Sequence, residues 1–164
     1  MADATLLTRT PFLMAHDAAS GYLGSGYIDR WAKTQRAGLA QQLQCGARAF
    51  DARPFLKWNG ELVWHHAAVA IDRPFSSSLT EIPDWLHEHP TELVLLSISD
   101  CTQTIGPGLL PSSQDATASS RNRCMRSVDA ALAAHNISNL RDCSVLGSLT
   151  FGMARARAAL QGGG

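Results

Sequence analysis

The sequence predicts an α/β protein with a parallel sheet, on three observations. Short apolar runs alternate with segments of helical spacing along most of the chain. One run, Leu93 to Ser99, is apolar nearly throughout, as in a parallel strand covered on both faces. Polar residues recur at the C-terminal ends of the first four runs, which is where TIM-barrel-like (β/α) folds assemble their active sites. Only four or five strands can be counted, whereas an eight-stranded barrel takes about 200 residues or more. The expectation is one unit of 164 residues forming an incomplete barrel, its N-terminal half to two-thirds.

Phe12 to Ala15 reads as the first strand, ending on His16-Asp17 ahead of a Gly- and Ser-rich loop. Residues 29–44 read as one helix, with Leu39 and Leu43 on one face and Gly46 as its stop signal. Residues 47–53 form the second strand, halted by Pro54. Alternation puts Ala49, Asp51 and Arg53 on one face and Phe50 and Ala52 on the other. Opposite charges on one strand face are costly to bury unless they line a polar site. Asn59-Gly60 marks a turn into a third strand, Glu61 to His66, on which His65 points away from His66 and is read as structural.

Ser78-Leu79-Thr80-Glu81 fits a capping box, so a helix is placed from about Thr80, with Pro83 tolerated in its first turn and His89-Pro90 ending it. Leu93 to Ser99 is the fourth strand. A loop rich in Ser, Thr, Gly and Pro spans Asp100 to Ser120. A helix follows to about His135, with Met125, Val128 and Leu132 on one face. Ser144 to Gly147 reads as a short strand, and Thr150 caps a last helix running to Leu160, before Gly162-Gly163-Gly164.

Fourteen basic and 14 acidic residues balance, so bulk charge predicts no non-specific nucleic-acid binding. No stretch approaches the ~20 apolar residues of a spanning helix. No signal peptide is visible at the N-terminus, and the compartment stays open. Cys45, Cys101, Cys124 and Cys143 form no CxxC pair, which argues against a zinc knuckle. Buried thiols and two disulfides are both open, thiols being the milder reading. Trp31, Trp58 and Trp64 serve either as a membrane-touching surface or in core and rim packing.

At the strand ends a resemblance emerges. Met14-Ala15-His16-Asp17, Gly46 to Pro54, Gly60 to His66 and Leu79 to Leu96 are similar, in order and spacing, to the X domain of phosphatidylinositol-specific phospholipase C. The resemblance implies a TIM-barrel-like fold and cleavage of a phosphodiester, in an inositol phospholipid or a related substrate, by attack of the inositol 2-hydroxyl on phosphorus, giving diacylglycerol and a cyclic inositol phosphate. It implies His16 as general base, His66 as general acid, Asp17 orienting the acid, Arg53 holding the phosphoryl oxygens and Asp51 steadying that arrangement. Two histidines suit the chemistry, since an unperturbed pKa of about 6.5 lets one take a proton and the other give one near neutrality. A guanidinium fork meets two phosphoryl oxygens at once and stays charged.

Arg53, Asp17 and Ser99 stand where calcium-dependent members carry oxygen ligands, so the resemblance is to the metal-independent, bacterial-type branch, with no cofactor. Those enzymes carry a lysine at the position of Ser99, here the substrate-binding candidate, and a glycine at that of Ala67. Two alternatives remain. Glycerophosphodiester and sphingomyelinase-D-like enzymes also use two histidines but hold magnesium. An inactive fragment or binding module of the same fold is the other. The carboxylate that partners the base comes, in the family, from the barrel's second half. The chain alone is therefore expected to be inactive or nearly so, and to aggregate or pair through uncovered edges.

Overall fold

The structure, a computed structural model, describes residues 3–104, 117–140 and 142–159. Its elements in chain order are β1 (Met14–Ala15), α1 (Tyr27–Ala32), α2 (Leu39–Gln44), β2 (Ala49–Ala52), β3 (Pro54–Leu56), β4 (Leu62–His66) and β5 (Val69–Pro74). There follow α3 (Phe75–Leu79), α4 (Glu81–Glu88), β6 (Leu95–Ile98), β7 (Thr102–Gln103), α5 (Ala118–Ala134) and α6 (Phe151–Ala158). Most of the predicted loop after Asp100 and the predicted end of the last helix at Leu160 lie outside the described residues.

β1, β2 and β6 form a three-stranded parallel sheet in that order, with Ala15 opposite Phe50 and Phe50 opposite Leu96. This is the α/β sheet expected from sequence, and no closed barrel exists among the described residues. Phe50 on one face of β2 is fully buried, and Asp51 and Arg53 face the other way into polar company.

The remaining strands correct the expectation of a wholly parallel sheet. β5, β4, β3 and β7 make a second sheet in which β3–β4 and β4–β5 are antiparallel. Pro54 therefore does not halt the strand; it opens β3, one residue beyond β2. The reason lies in the turn. Lys57 and Glu61 close it through Lys57 N to Glu61 O at 2.8 Å, with Gly60 at φ 88°, and so short a connection can only join antiparallel neighbours. β5 was not anticipated at all. Trp64 on β4 is fully buried in the core, its ring tilted against Phe75 with centroids 4.5 Å apart and its indole N–H donating to Ser78 Oγ at 3.0 Å. It is thus no part of a membrane-touching surface.

The predicted single helix over 29–44 is two short ones. Between them the backbone N–H groups of Thr34 and Gln35 both donate to Ser20 Oγ, and the Gln35 side chain donates to His16 O at 2.8 Å. Such side-chain partners outcompete helical hydrogen bonds. Gly38 restarts the chain where a Cβ would lie 2.3 Å from the Tyr22 ring. The N-terminus of α2 is then satisfied by Tyr22 Oη, which accepts from Leu39 N, and by Glu81, which accepts from Ala40 N. Gly46, at φ 100°, ends α2 as its position suggested. Ser144 to Gly147 is likewise no strand but part of a 3-10 turn, Cys143–Ser148, opened by the Asp142 carboxylate accepting from Ser144 N at 2.9 Å.

Two further ties hold the periphery. Residues 3–7 lie against 149–152 through Leu7 N to Leu149 O at 2.8 Å, Phe151 N to Thr5 O at 2.8 Å and Gly152 N to Asp3 O at 3.0 Å. Leu7, Leu93, Leu149, Phe151 and Ala154 form a second small core beneath them. Cys101 and Cys124 form a disulfide between the segment after β6 and α5. This corrects the reading of thiols throughout; Cys45 is an exposed free thiol, and the Cys143 side chain lies outside the description. The bridge closes a separation of 23 residues, for which chain entropy gives about 3 kcal/mol. Replacing both cysteines with serine should lower the unfolding free energy by that amount in urea titrations. A thiol reductant should destabilise the parent and leave the double variant unmoved.

Candidate active site

Four side chains and one guanidinium predicted from sequence meet at the C-terminal end of β1 and β2. His16 and Asp17 follow β1, Asp51 and Arg53 alternate along and just past β2, and His66 ends β4. The carboxylates lie beneath: the Asp17 side chain is 1% exposed and that of Asp51 9%, against 68% for His16. Asp51 Oδ2 receives Arg53 Nε at 3.0 Å, Arg53 Nη2 at 2.9 Å and the Asp17 backbone N–H at 3.2 Å, and lies 3.1 Å from His16 Nδ1. Ser99 Oγ donates to its other oxygen at 2.9 Å.

Asp17 is the second hub. Its Oδ1 lies 2.9 Å from Arg53 Nε, and its Oδ2 lies 3.0 Å from His16 Nε2 and 3.1 Å from His66 Nε2. These are charge contacts at short range, yet neither Asp17 oxygen has a well-directed hydrogen bond among the described residues. The two Nε2 atoms thus converge on one oxygen by contacts that a ligand can replace. Arg53 keeps Nη1 without a partner among the described residues, so one edge of its fork is open.

Electrostatics follow from this packing. Burial alone would raise the Asp51 carboxyl. Hydrogen bonds from Arg53, Ser99 and the Asp17 backbone, with the charge of Arg53, outweigh it and hold the group below its ordinary value. Burial likewise works against the Arg53 charge, but Asp51, Asp17 and Asp100 raise its pKa above the usual arginine value. Donor atoms of His16, Asp17 and Asp51 also lie within 4.8 Å of one another, a spacing that a cation could use. Here the Arg53 guanidinium already lies against both carboxylates.

The turns at the strand ends are strained in a common way. Asp17, Ala67 and Asp100, which follow His16, His66 and Ser99, have φ of 47°, 47° and 45°. A left-handed residue other than glycine costs about 1–2 kcal/mol, and such outliers gather at sites that the surrounding structure over-determines. The left-handed turn also accounts for the glycine expected at position 67.

His65, beside His66, is turned the other way: 5% exposed, its ring nitrogens lie 3.0 Å from Ala67 O and 2.8 Å from Asp100 O. Ser99, the candidate for substrate binding, is engaged with Asp51 instead of projecting freely. Trp31 and Trp58 are 80% and 59% exposed. Sequence reasoning missed Thr102 and Arg121, which line a cavity beside Ser99; nothing in their local sequence sets them apart.

No family model matches this chain. Solved bacterial phosphatidylinositol-specific phospholipases C are similar to it in fold. The Listeria monocytogenes enzyme superposes with a TM-score of 0.62 at 21% identity, over 96% of this chain and 52% of that one. A Staphylococcus aureus structure, described for the modulation of its membrane binding, gives 0.58 at 25% identity over 63% of this chain and 34% of its own. A mutant of the Staphylococcus aureus enzyme gives 0.64 at 21% identity, over 92% and 48%. This chain thus spans about a third to a half of the enzymes it matches.

Proposed function

We propose that this cluster is a phosphodiester-cleaving centre of the phospholipase C type, working without a metal. The observation that carries the reading is the convergence of His16 Nε2 and His66 Nε2 on Asp17 Oδ2, beside a guanidinium with one open edge. A phosphodiester seated on Arg53 takes the place of the loosely directed Asp17 contacts. His16 accepts the proton of a neighbouring hydroxyl on the substrate, that oxygen attacks phosphorus, and the bond to the leaving alcohol breaks. His66 delivers a proton to the departing oxygen, leaving a cyclic phosphodiester. Arg53 stabilises the charge that grows on the non-bridging oxygens, an effect larger in a partly buried site than in water.

The carboxylate that the sequence reading sought in a barrel's second half has a counterpart here. Asp51, 3.1 Å from His16 Nδ1, is placed to orient the base. We therefore propose slow but measurable turnover from this chain, within the expectation of a chain inactive or nearly so. Arg53 supports metal independence, because a cation bound by Asp17 and Asp51 would sit against a fixed positive charge.

The surface beside the site suits a lipid substrate. The stretch between Asp17 and Gln35, which carries α1, leaves from the site and returns to the His16 carbonyl. Tyr27 and Trp31, one turn apart on α1, are 83% and 80% exposed, with Arg30 beside them. Amphipathic rings beside a cation are fitted to a membrane–water boundary.

The test is phosphorus NMR of the chain with phosphatidylinositol vesicles and with a water-soluble short-chain analogue, in EDTA. Cyclic phosphate should form above the background of Arg53→Ala, and Trp31→Ala should slow only the vesicle reaction. Absence of product would reduce the site to a binding module. Product formed only with magnesium or calcium would move it to a metal-dependent class.

A further inference from the structure

The peptide group between His16 and Asp17 is held at both of its ends. Its N–H donates to Asp51 Oδ2 at 3.2 Å, the same oxygen that lies 3.1 Å from His16 Nδ1. Its carbonyl, on the opposite side of the plane, accepts from Gln35 Nε2 at 2.8 Å and from Thr34 Oγ1 at 3.3 Å. Both donors come from the linker between α1 and α2, and both are pinned by Ser20, a residue without exposed surface. Ser20 Oγ accepts from the backbone N–H groups of Thr34 and Gln35 at 3.1 and 3.0 Å. The Thr34 hydroxyl gives its proton to His16 O, so Ser20 gives its own to Thr34 Oγ1 at 2.8 Å. Ser20 N in turn donates to Asp17 O at 2.9 Å.

This clasp works against a strain. Asp17 has φ 47°, a left-handed conformation that a residue with a Cβ leaves when nothing prevents it. Rotation of the His16–Asp17 peptide plane would relieve it, because that rotation changes φ of Asp17. The same rotation would take the N–H from Asp51 and turn the carbonyl oxygen towards that carboxylate, driving it from His16 Nδ1. We propose that Gln35 is a positioning residue for the base: through the His16 carbonyl it fixes the plane whose N–H holds Asp51 against the imidazole. Thr34 is the weaker second donor. The proposal rests on the reading of His16 as general base and deepens it. The contact of Gln35 is to a backbone oxygen, and Arg53 keeps Asp17 Oδ1 as a second partner, so the effect falls on kcat more than on KM.

The experiment compares the full chain with Gln35→Met, which keeps the length of the side chain and removes its donor. Gln35→Glu, of the same shape and also without the donor, is the second variant and should behave alike. Circular dichroism checks that each is folded. On the water-soluble analogue in EDTA, kcat should fall about tenfold or more with KM within about twofold, since catalytic groups displaced by about an ångström lose about 10²-fold in rate. Thr34→Val should do less, and Thr34→Val with Gln35→Met more than either alone. Nitrogen NMR of the histidine rings should show His16 moved in Gln35→Met. The rings of His89 and His135, which pair with Trp85 O and Ser76 Oγ outside the cluster, should stay. A folded Gln35→Met with the parent's kcat, a rise in KM in place of the loss in kcat, or an unmoved His16 ring would each overturn the proposal. Failure of the underlying reading looks different: the parent would show no turnover, and the His16 ring would still move when Gln35 is replaced.

Discussion

Replacing either His16 or His66 with alanine should lower turnover by about 10²–10⁴-fold, while His65→Ala should leave turnover of the folded protein nearly intact. The contrast is sharp because the last two residues are neighbours on one strand. His66 Nε2 lies 3.1 Å from Asp17 Oδ2, whereas His65 is buried on the far side against Ala67 and Asp100 carbonyls. Losing His65 leaves a backbone oxygen unpaired, so its effect belongs in the unfolding temperature. Initial rates on the soluble analogue, together with thermal melts, separate the two. A His65 variant as slow as the His66 variant, at unchanged stability, would reverse the assignment of faces.

Arg53→Lys should be almost as damaging as Arg53→Ala. In the parent, Nε and Nη2 span Asp17 and Asp51, and Nη1 is left for substrate; an ammonium cannot serve three directions from one point. The alanine variant has a second signature, in acid. Asp51 is held below its ordinary value, so the stability it contributes is present above about pH 4 and is lost as pH falls through its native value. Without Arg53, burial dominates and the native value rises. The acid-unfolding midpoint followed by circular dichroism should then move to higher pH, and an unmoved midpoint would deny the coupling.

Much of this site could be read from the chain because strand alternation is rigid. Asp51 and Arg53 share a face, and His65 and His66 cannot, whatever surrounds them. His16-Asp17 was legible as the polar end of an apolar run. What the sequence concealed depends on partners distant in the chain. The break between α1 and α2 comes from Ser20 and His16 capturing Thr34 and Gln35. The antiparallel sheet comes from a turn that local spacing located but whose consequence for β3 was missed. The pairing of Cys101 with Cys124 cannot be deduced from spacing alone. That Asp51 lies against the base as well as the arginine, and that Asp17 takes a left-handed turn, had no marker in the local sequence.

The joining of residues 3–7 to 149–152 also bears on how the chain reaches this state. The turn between β3 and β4 closes over a handful of residues and can form within microseconds. Leu7 and Leu149 must find each other across nearly the whole chain, a closure whose entropy is recovered only once both segments are ordered. Loop-closure entropy therefore favours early formation of the hairpin arm that delivers His66 and late joining of residues 3–7 to 149–152. β1, only two residues long, is held by β2, with Leu13 O accepting from Arg48 N and Ala49 N. The segment that leads to His16 is thus completed by a closure that the hairpin arm leading to His66 does not need.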